Sequence, residues 1–276
     1  MNDRPEKDLE PGLYVVATPI GNLGDISARA AHVLRSAVLV CAEDTRTTRR
    51  LMDHAGASTR LLSLTEHNVN ERMPQVLAEA EKGPVALVSD AGTPVVADPG
   101  ARLVAGAHER GVTVIAVPGP SALTAAMSVG GFEGSDVHFL GFLPRQRGER
   151  FERLKQAALS AGVLVFFESP RRLGRTLADL GEVLGDPEVC VCRELTKVHE
   201  EAVRGRASQL SARFREVRGE CTVVVRVPER EPAGEAELAA YMQEMRRAGA
   251  RRAPAAVEAA RRFSVPRDRA YALWGD

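Results

Sequence analysis

Five short apolar runs in the first 117 residues, each followed by a loop of small or polar residues and then a helical pattern, constrain this chain more than any other feature. They are LYVVA (13–17), AVLVCAE (37–43), RLLSL (60–64), VALVS (85–89) and VTVIAV (112–117). Runs of Val, Leu and Ile without polar alternation are buried on both faces, which calls for a mostly parallel sheet covered by helices. They lead into TPIGNLGD, DTRTT, TEHNVNE, DAGTPVVADPG and PGPSALTAAM. Ligands of such sheets bind beyond the carboxyl ends of the strands, so each of these loops is a place where chemistry can sit.

The rhythm changes after Ser121. VHFLGFLP (137–144), GVLVFFESP (162–170), EVCVCREL (188–195) and GECTVVVRVP (219–228) read as strands. A helix over about 148–160 and another after Pro170 separate them, and EEAVRGRASQL (200–210) reads as a strand that becomes a helix. Strands meeting through short connections predict a mixed sheet. EREPAGEAE (229–237) is a linker by composition, followed by an alanine- and arginine-rich helical tail. The expected organisation is α/β throughout: an N-terminal domain over 12–120, a second domain over 121–228 and a small helical module over 235–276. At 276 residues the chain is long enough for two such cores.

Charge balances at 37 basic and 37 acidic residues, which does not favour nucleic-acid binding by net field. Local basic stretches remain, RQRGERFERLK (145–155) and RRAGARR (246–252), each readable as a solvated helix face or as phosphate contacts. No apolar run is long enough to span a bilayer, and MNDRPEKDLEPG lacks the pattern of a signal peptide, so a cytoplasmic protein is expected. The four cysteines form no CxxC pair; Cys190 and Cys192 alternate within one strand. Buried structural thiols, and no metal centre, are expected.

The loops carry the functional signal. Pro19 to Asp25 is glycine-rich at a strand-to-helix junction, but it is neither GxGxxG nor GxxxxGK[ST], which disfavours dinucleotide binding and triphosphate hydrolysis. In DAGTPVVADPG, Gly92 permits close approach to the backbone, and Pro94 and Pro99 stiffen the loop. Asp90, at the strand end, is read as a ligand contact, and Asp98 as a cap of the following helix.

VATPIGNLGDIS, AEDTRTTRRLM, EHN, VSDAGTPVVADPG, PGPSALTAAM, GFLPR, FESPRRL, RELTK and GECTVVV occur in this order. The series resembles the ribosomal small-subunit RNA 2′-O-methyltransferase branch of the tetrapyrrole methylase superfamily, over roughly residues 12–228 and more loosely the tail. The resemblance implies two α/β domains, S-adenosylmethionine (SAM) in the cleft between them, and a homodimer. It also implies methylation of a cytidine ribose in the decoding region of 16S rRNA, within the 30S subunit. Cofactor positions implied by the matching motifs are Pro19, Asp90, Gly92, Thr93, Val95, Val96, Ser121 and Ala122, with Phe167 and Thr222 closing from the second domain. Candidates for the acceptor chemistry are Asp44 and Arg46, His67 and Asn68, and Glu194 and Lys197. Arg145, Arg147 and Arg172 are candidates for RNA phosphate. Where the family commonly reads ESPHR, this chain has Glu168-Ser169-Pro170-Arg171-Arg172, so no histidine role is available there. Two other readings stay open at this stage: a relative acting on a corrin or porphyrin, which would more usually carry GPGD and GGDP loops, and a non-catalytic RNA-binding protein on a relict cleft.

Overall fold

The computed structural model describes residues 9–97, 100–134, 136–228, 235–263 and 265–274. Asp98, Pro99 and most of the linker segment therefore lie outside the described residues. The apolar runs of the first half form β1 (Gly12–Val16), β2 (Leu39–Ala42), β3 (Leu61–Ser63), β4 (Pro84–Val88) and β5 (Val114–Val117). They pair in the order β3-β2-β4-β1-β5, every pair parallel. Because strand side chains alternate, Tyr14 and Val16 face one layer and Leu13 the other. The first layer is α1 (Ala28–Ser36) with α2 (Thr45–Ala55), and the second is α3 (Val69–Ala80) with α4 (Ala101–Glu109). Helix α1 starts where its cap dictates: the Ser27 side chain accepts from Ala30 N at 3.0 Å.

The second sheet comprises β6 (Val137–Phe142), β7 (Val163–Glu168), β8 (Glu188–Arg193), β9 (Glu201–Arg206) and β10 (Cys221–Arg226), in the order β6-β7-β10-β8-β9. Only β6 and β7 are parallel, which makes the sheet mixed as expected. Its core on one face is filled from α6 (Arg147–Ala157), α7 (Pro170–Leu184) and α8 (Ala207–Arg213). The other face packs on α5 (Ala122–Gly130), through Ala126 against Val163, Val165, Cys190, Cys192 and Val224. All four cysteines are buried and unpaired, and the Cys190 and Cys192 sulfurs lie 3.8 Å apart on one face of β8.

The tail forms α9 (Glu235–Arg247), α10 (Arg252–Phe263) and α11 (Arg267–Ala272) around a core of its own that includes Leu238, Met242, Ala256 and Ala259. Helix α9 begins inside the segment read as linker, with Glu235 and Glu237 in its first turn, where carboxylates complement the helix dipole. No helix among the described residues is long and apolar enough to cross a membrane.

Candidate functional site

Strands β4, β1 and β5 are neighbours, so their carboxyl-end loops meet. Thr18 and Gly92 exchange backbone hydrogen bonds, Thr18 N to Gly92 O at 2.8 Å and Gly92 N to Thr18 O at 3.1 Å. The Thr18 hydroxyl donates to Ser89 O at 3.1 Å, and the Thr93 hydroxyl reaches Pro120 O at 3.3 Å. Gly92 holds φ at +87°, and a Cβ there would sit 3.4 Å from Ile20, so glycine suits both the backbone and the space. These bonds join three loops into one wall.

The opposite wall comes from the second sheet. Thr222 pairs with Phe167 across β10 and β7, which sets both at one end of the sheet. Between the walls lies a cavity of about 380 Å³, lined by Ile20, Gly92, Thr93, Val96, Ser121 and Ala122 on one side. Phe142, Phe167, Glu168, Ser169, Pro170, Cys192, Leu195, Cys221 and Thr222 line the other. It is mostly apolar, with polar groups at its ends. Two helices begin on it, α5 behind Ser121 and α7 behind Ser169, and neither serine caps its own helix. Free N–H groups at a helix start carry partial positive charge and favour a carboxylate.

Seven of the expected cofactor residues, Gly92, Thr93, Val96, Ser121, Ala122, Phe167 and Thr222, line this cavity. Three do not. Pro19 is buried behind the wall. Val95 adopts φ +76° and packs toward the core beside β4, leaving Val96 alone of the pair on the cavity. Asp90 is exposed, and its Oδ1 accepts from Asp44 N at 3.1 Å, tying the loop after β2 to the end of β4. The sequence reading passed over Phe142, Glu168, Ser169 and Pro170. Its available signal was the strand-end Glu-Ser-Pro, the same strand-to-helix junction that marks the loops of the first half.

The acceptor-chemistry candidates are not brought together. Asp44 caps α2 and binds the Arg46 guanidinium through both oxygens, at 3.1 and 2.8 Å. The Arg46 side-chain hydrogen bonds hold its carboxyl down at about 2. Asn68 serves its own turn, accepting from Thr65 N at 2.8 Å and donating to Ser63 O at 3.3 Å. His67 is exposed at the end of edge strand β3, two strands and thus about 10 Å to the side of β4. Glu194 accepts from Lys197 Nζ and from Glu220 N, each at 2.9 Å, and the lysine bond foremost holds its pKa below the usual value. Burial opposes the Lys197 charge, but its hydrogen bonds to Glu220 and Glu194 outweigh that and raise its pKa. Asp44, Glu194 and Lys197 are thus locked in their charged forms, which suits positioning better than proton abstraction at neutral pH.

Because the folded-state pKa of Asp44 is depressed, its contribution to stability is present above the unfolded value near 4 and is lost as pH falls toward 2. Arg46→Gln should move the carboxyl titration, followed by NMR, up toward the usual range, with the backbone N–H bonds to Asp44 retained. An unmoved midpoint would remove Arg46 as the cause.

Of the basic candidates, Arg145 alone is exposed with no partner among the described residues. Arg147 is held by Asp179 at 3.1 Å and by Glu182, and stacks on Phe151. Arg172 is turned inward. Its Nη2 donates to Leu143 O at 2.9 Å, Pro144 O at 3.1 Å and buried Glu168 at 3.0 Å. The expectation that Arg172 reaches out to phosphate is corrected by these bonds, which hold its Nη2 inside the fold.

The family model of Tetrapyrrole (Corrin/Porphyrin) Methylases matches residues 12–211. A protein of Thermotoga maritima named ribosomal RNA small subunit methyltransferase I is 47% identical over 216 residues, 77% of this chain and 97% of the relative. One of that name from Mesorhizobium japonicum is 45% identical over 212 residues, 76% of this chain and 72% of the relative. The solved uroporphyrin-III C-methyltransferase of Thermus thermophilus, complexed with S-adenyl homocysteine, superposes with TM-score 0.56 at 20% identity, covering 78% of this chain and 96% of that one. Two strand-end walls around one cavity, matched by the family model over most of both sheets, place the chain in the tetrapyrrole methylase family, in the branch whose members are named ribosomal RNA small subunit methyltransferase I.

Proposed function

We propose that the chain is a SAM-dependent methyltransferase that methylates the ribose 2′-hydroxyl of a cytidine in 16S rRNA, acting on the 30S subunit as a cytoplasmic homodimer. The observation that carries the reading is the cavity between the two sheets, apolar along its walls and bounded by two uncapped helix starts. Its chemistry fits the cofactor: an apolar slot for the adenine and thioether, and N–H groups with serine hydroxyls for the carboxylate. Ile20, Val96 and Phe167 would cover the apolar parts, and Ser121, Ser169, Thr93 and Thr222 would hold the polar ends. When bound, the cofactor supplies an electrophilic methyl group. The protein's share is alignment, which can supply much of the rate of such a displacement. The hydroxyl proton grows acidic as the new C–O bond forms, so a weak base near the acceptor suffices.

The test is transfer of labelled methyl from SAM to 30S subunits lacking the modification, with the labelled nucleotide mapped. Label on the ribose of a 16S rRNA cytidine is expected. Label on a tetrapyrrole and never on rRNA would overturn the reading. SAM at a hundredfold excess over its Kd should also stabilise the protein by about 2.7 kcal/mol, read as a rise in Tm. No rise would separate the cavity from the cofactor.

A further inference from the structure

Phe142 is the most conspicuous side chain at the cavity that the fold itself does not use. It is 65% exposed, it ends β6, and it stands edge-on to Phe167 with ring centroids 5.6 Å apart. An exposed phenyl ring forgoes a large part of the stabilisation that burial of such a side chain provides.

The turn that follows it is unusually well held. Arg172 binds the carbonyls of Leu143 and Pro144 from beneath. Arg150 binds those of Pro144 at 3.1 Å and Arg145 at 3.0 Å. Each guanidinium is neutralised by a buried carboxylate, Glu168 for Arg172 and Asp179 for Arg150. Two arginines are thus consumed in fixing the shape of a surface turn, so that Phe142 is presented in a set position.

The rim of this turn is basic. Arg145 is exposed on it. Arg171 and Arg175, exposed and one helical turn apart on α7, follow directly from cavity-lining Ser169 and Pro170. None of the three has a partner among the described residues. Arg172 reaches from the first turn of α7 to the carbonyls at 143 and 144, so the helix start that carries Arg171 abuts the turn that leads to Arg145.

We propose that this shelf receives the acceptor strand: an unpaired nucleoside of the RNA stacks its base on Phe142, while Arg145 and Arg171, with Arg175 behind, hold the flanking phosphates. The proposal rests on the methyltransferase reading above and names how that site takes its substrate. Aromatic stacking with phosphate capture by arginine is the general chemistry by which proteins take unstacked single-stranded RNA. A flat ring beside unneutralised cations suits a nucleotide better than a protein partner, whose contact would need carboxylates placed to match.

The test is binding to 30S subunits lacking the methylation, with SAM affinity and sedimentation measured on the same proteins. Phe142→Ala should weaken 30S binding roughly 5- to 150-fold, and Phe142→Trp should retain it. Arg145→Gln with Arg171→Gln should weaken binding and lower the slope of log affinity against log salt by about 1.5, with SAM affinity unchanged. Equal 30S affinity in all variants would overturn the shelf, as would a Phe142→Ala loss confined to SAM, to a tetrapyrrole or to dimer assembly. Wild-type protein that neither binds nor methylates 30S would instead sink the functional reading on which the shelf rests.

Discussion

Asp179→Ala is expected to destabilise the protein by about 3–5 kcal/mol, the cost of leaving a buried charge without its partner. The Arg150 and Asp179 side chains are 3% and 4% exposed, and Arg150 Nε donates to Asp179 Oδ2 at 2.8 Å. Asp179 also receives Arg147 at 3.1 Å, so one carboxylate neutralises two cations under the turn at 144–145. Arg150→Met with Asp179→Leu should recover part of the loss, because neither charge is then stranded. Recovery stays incomplete, since the Pro144 and Arg145 carbonyls lose the donors that Arg150 supplies. Urea unfolding followed by circular dichroism measures this. The single tryptophan, Trp274, follows α11 and packs against the core of the tail helices, so it would report on them instead. A cost below about 1 kcal/mol would mean that water reaches the pair.

Gly21→Ala is expected to lower methyl transfer about a hundredfold while the circular dichroism spectrum stays the same. A Cβ at Gly21 would stand 2.5 Å from Lys197 Cγ, 2.8 Å from Leu195 O and 2.8 Å from Thr196 Oγ1. The lysine stem can give way, but the carbonyl cannot, because the 194–197 turn is braced by Glu194, Lys197 and Glu220. That turn also holds Glu194 at φ +51° and Thr196 at φ +68°, conformations that persist only where surroundings enforce them. The first loop must therefore lift off the second sheet, widening the cavity between Ile20 and Leu195. A displacement of about 1 Å can cost 10²-fold in rate when alignment carries the catalysis. Wild-type activity would show that this contact does not set the cavity's width.

Where the sequence reading fell short, side chains were the reason. Asp90 was read as a ligand contact from its place at a strand end, and Arg172 as a phosphate contact from its motif. In the structure, Asp90 anchors the loop after β2 and Arg172 anchors the turn after β6. Those partners lie 46 and 29 residues away, at distances no local pattern encodes. The Asp44 cap of α2 is by contrast a local bond between neighbours in sequence, of the kind a pattern can encode. Val95 and Val96 looked equivalent, yet only a positive φ at Val95 sends one to the core and the other to the cavity. Glu168 drew no attention as a site residue, because burial of a carboxylate shows only when Thr176 and Arg172 are seen to satisfy it.

By itself the sequence determined the parts and their order. Hydrophobic runs unbroken by polar residues require strands buried on both faces, and small-residue loops at their carboxyl ends mark where a ligand can enter. The change of rhythm after Ser121 required a second, mixed sheet. Only the tertiary structure decided which loops meet. The strand order β3-β2-β4-β1-β5 puts the loops of β4, β1 and β5 side by side and leaves His67 on the far edge. It also turned two arginines of a basic stretch and a helix start inward, and left Phe142 and Arg145 facing out. Periodicity is a property of neighbours along the chain, whereas pairing and burial depend on residues far apart in it. The strands and most of the cavity loops could therefore be read in advance, and which of their side chains turn into the cavity could not.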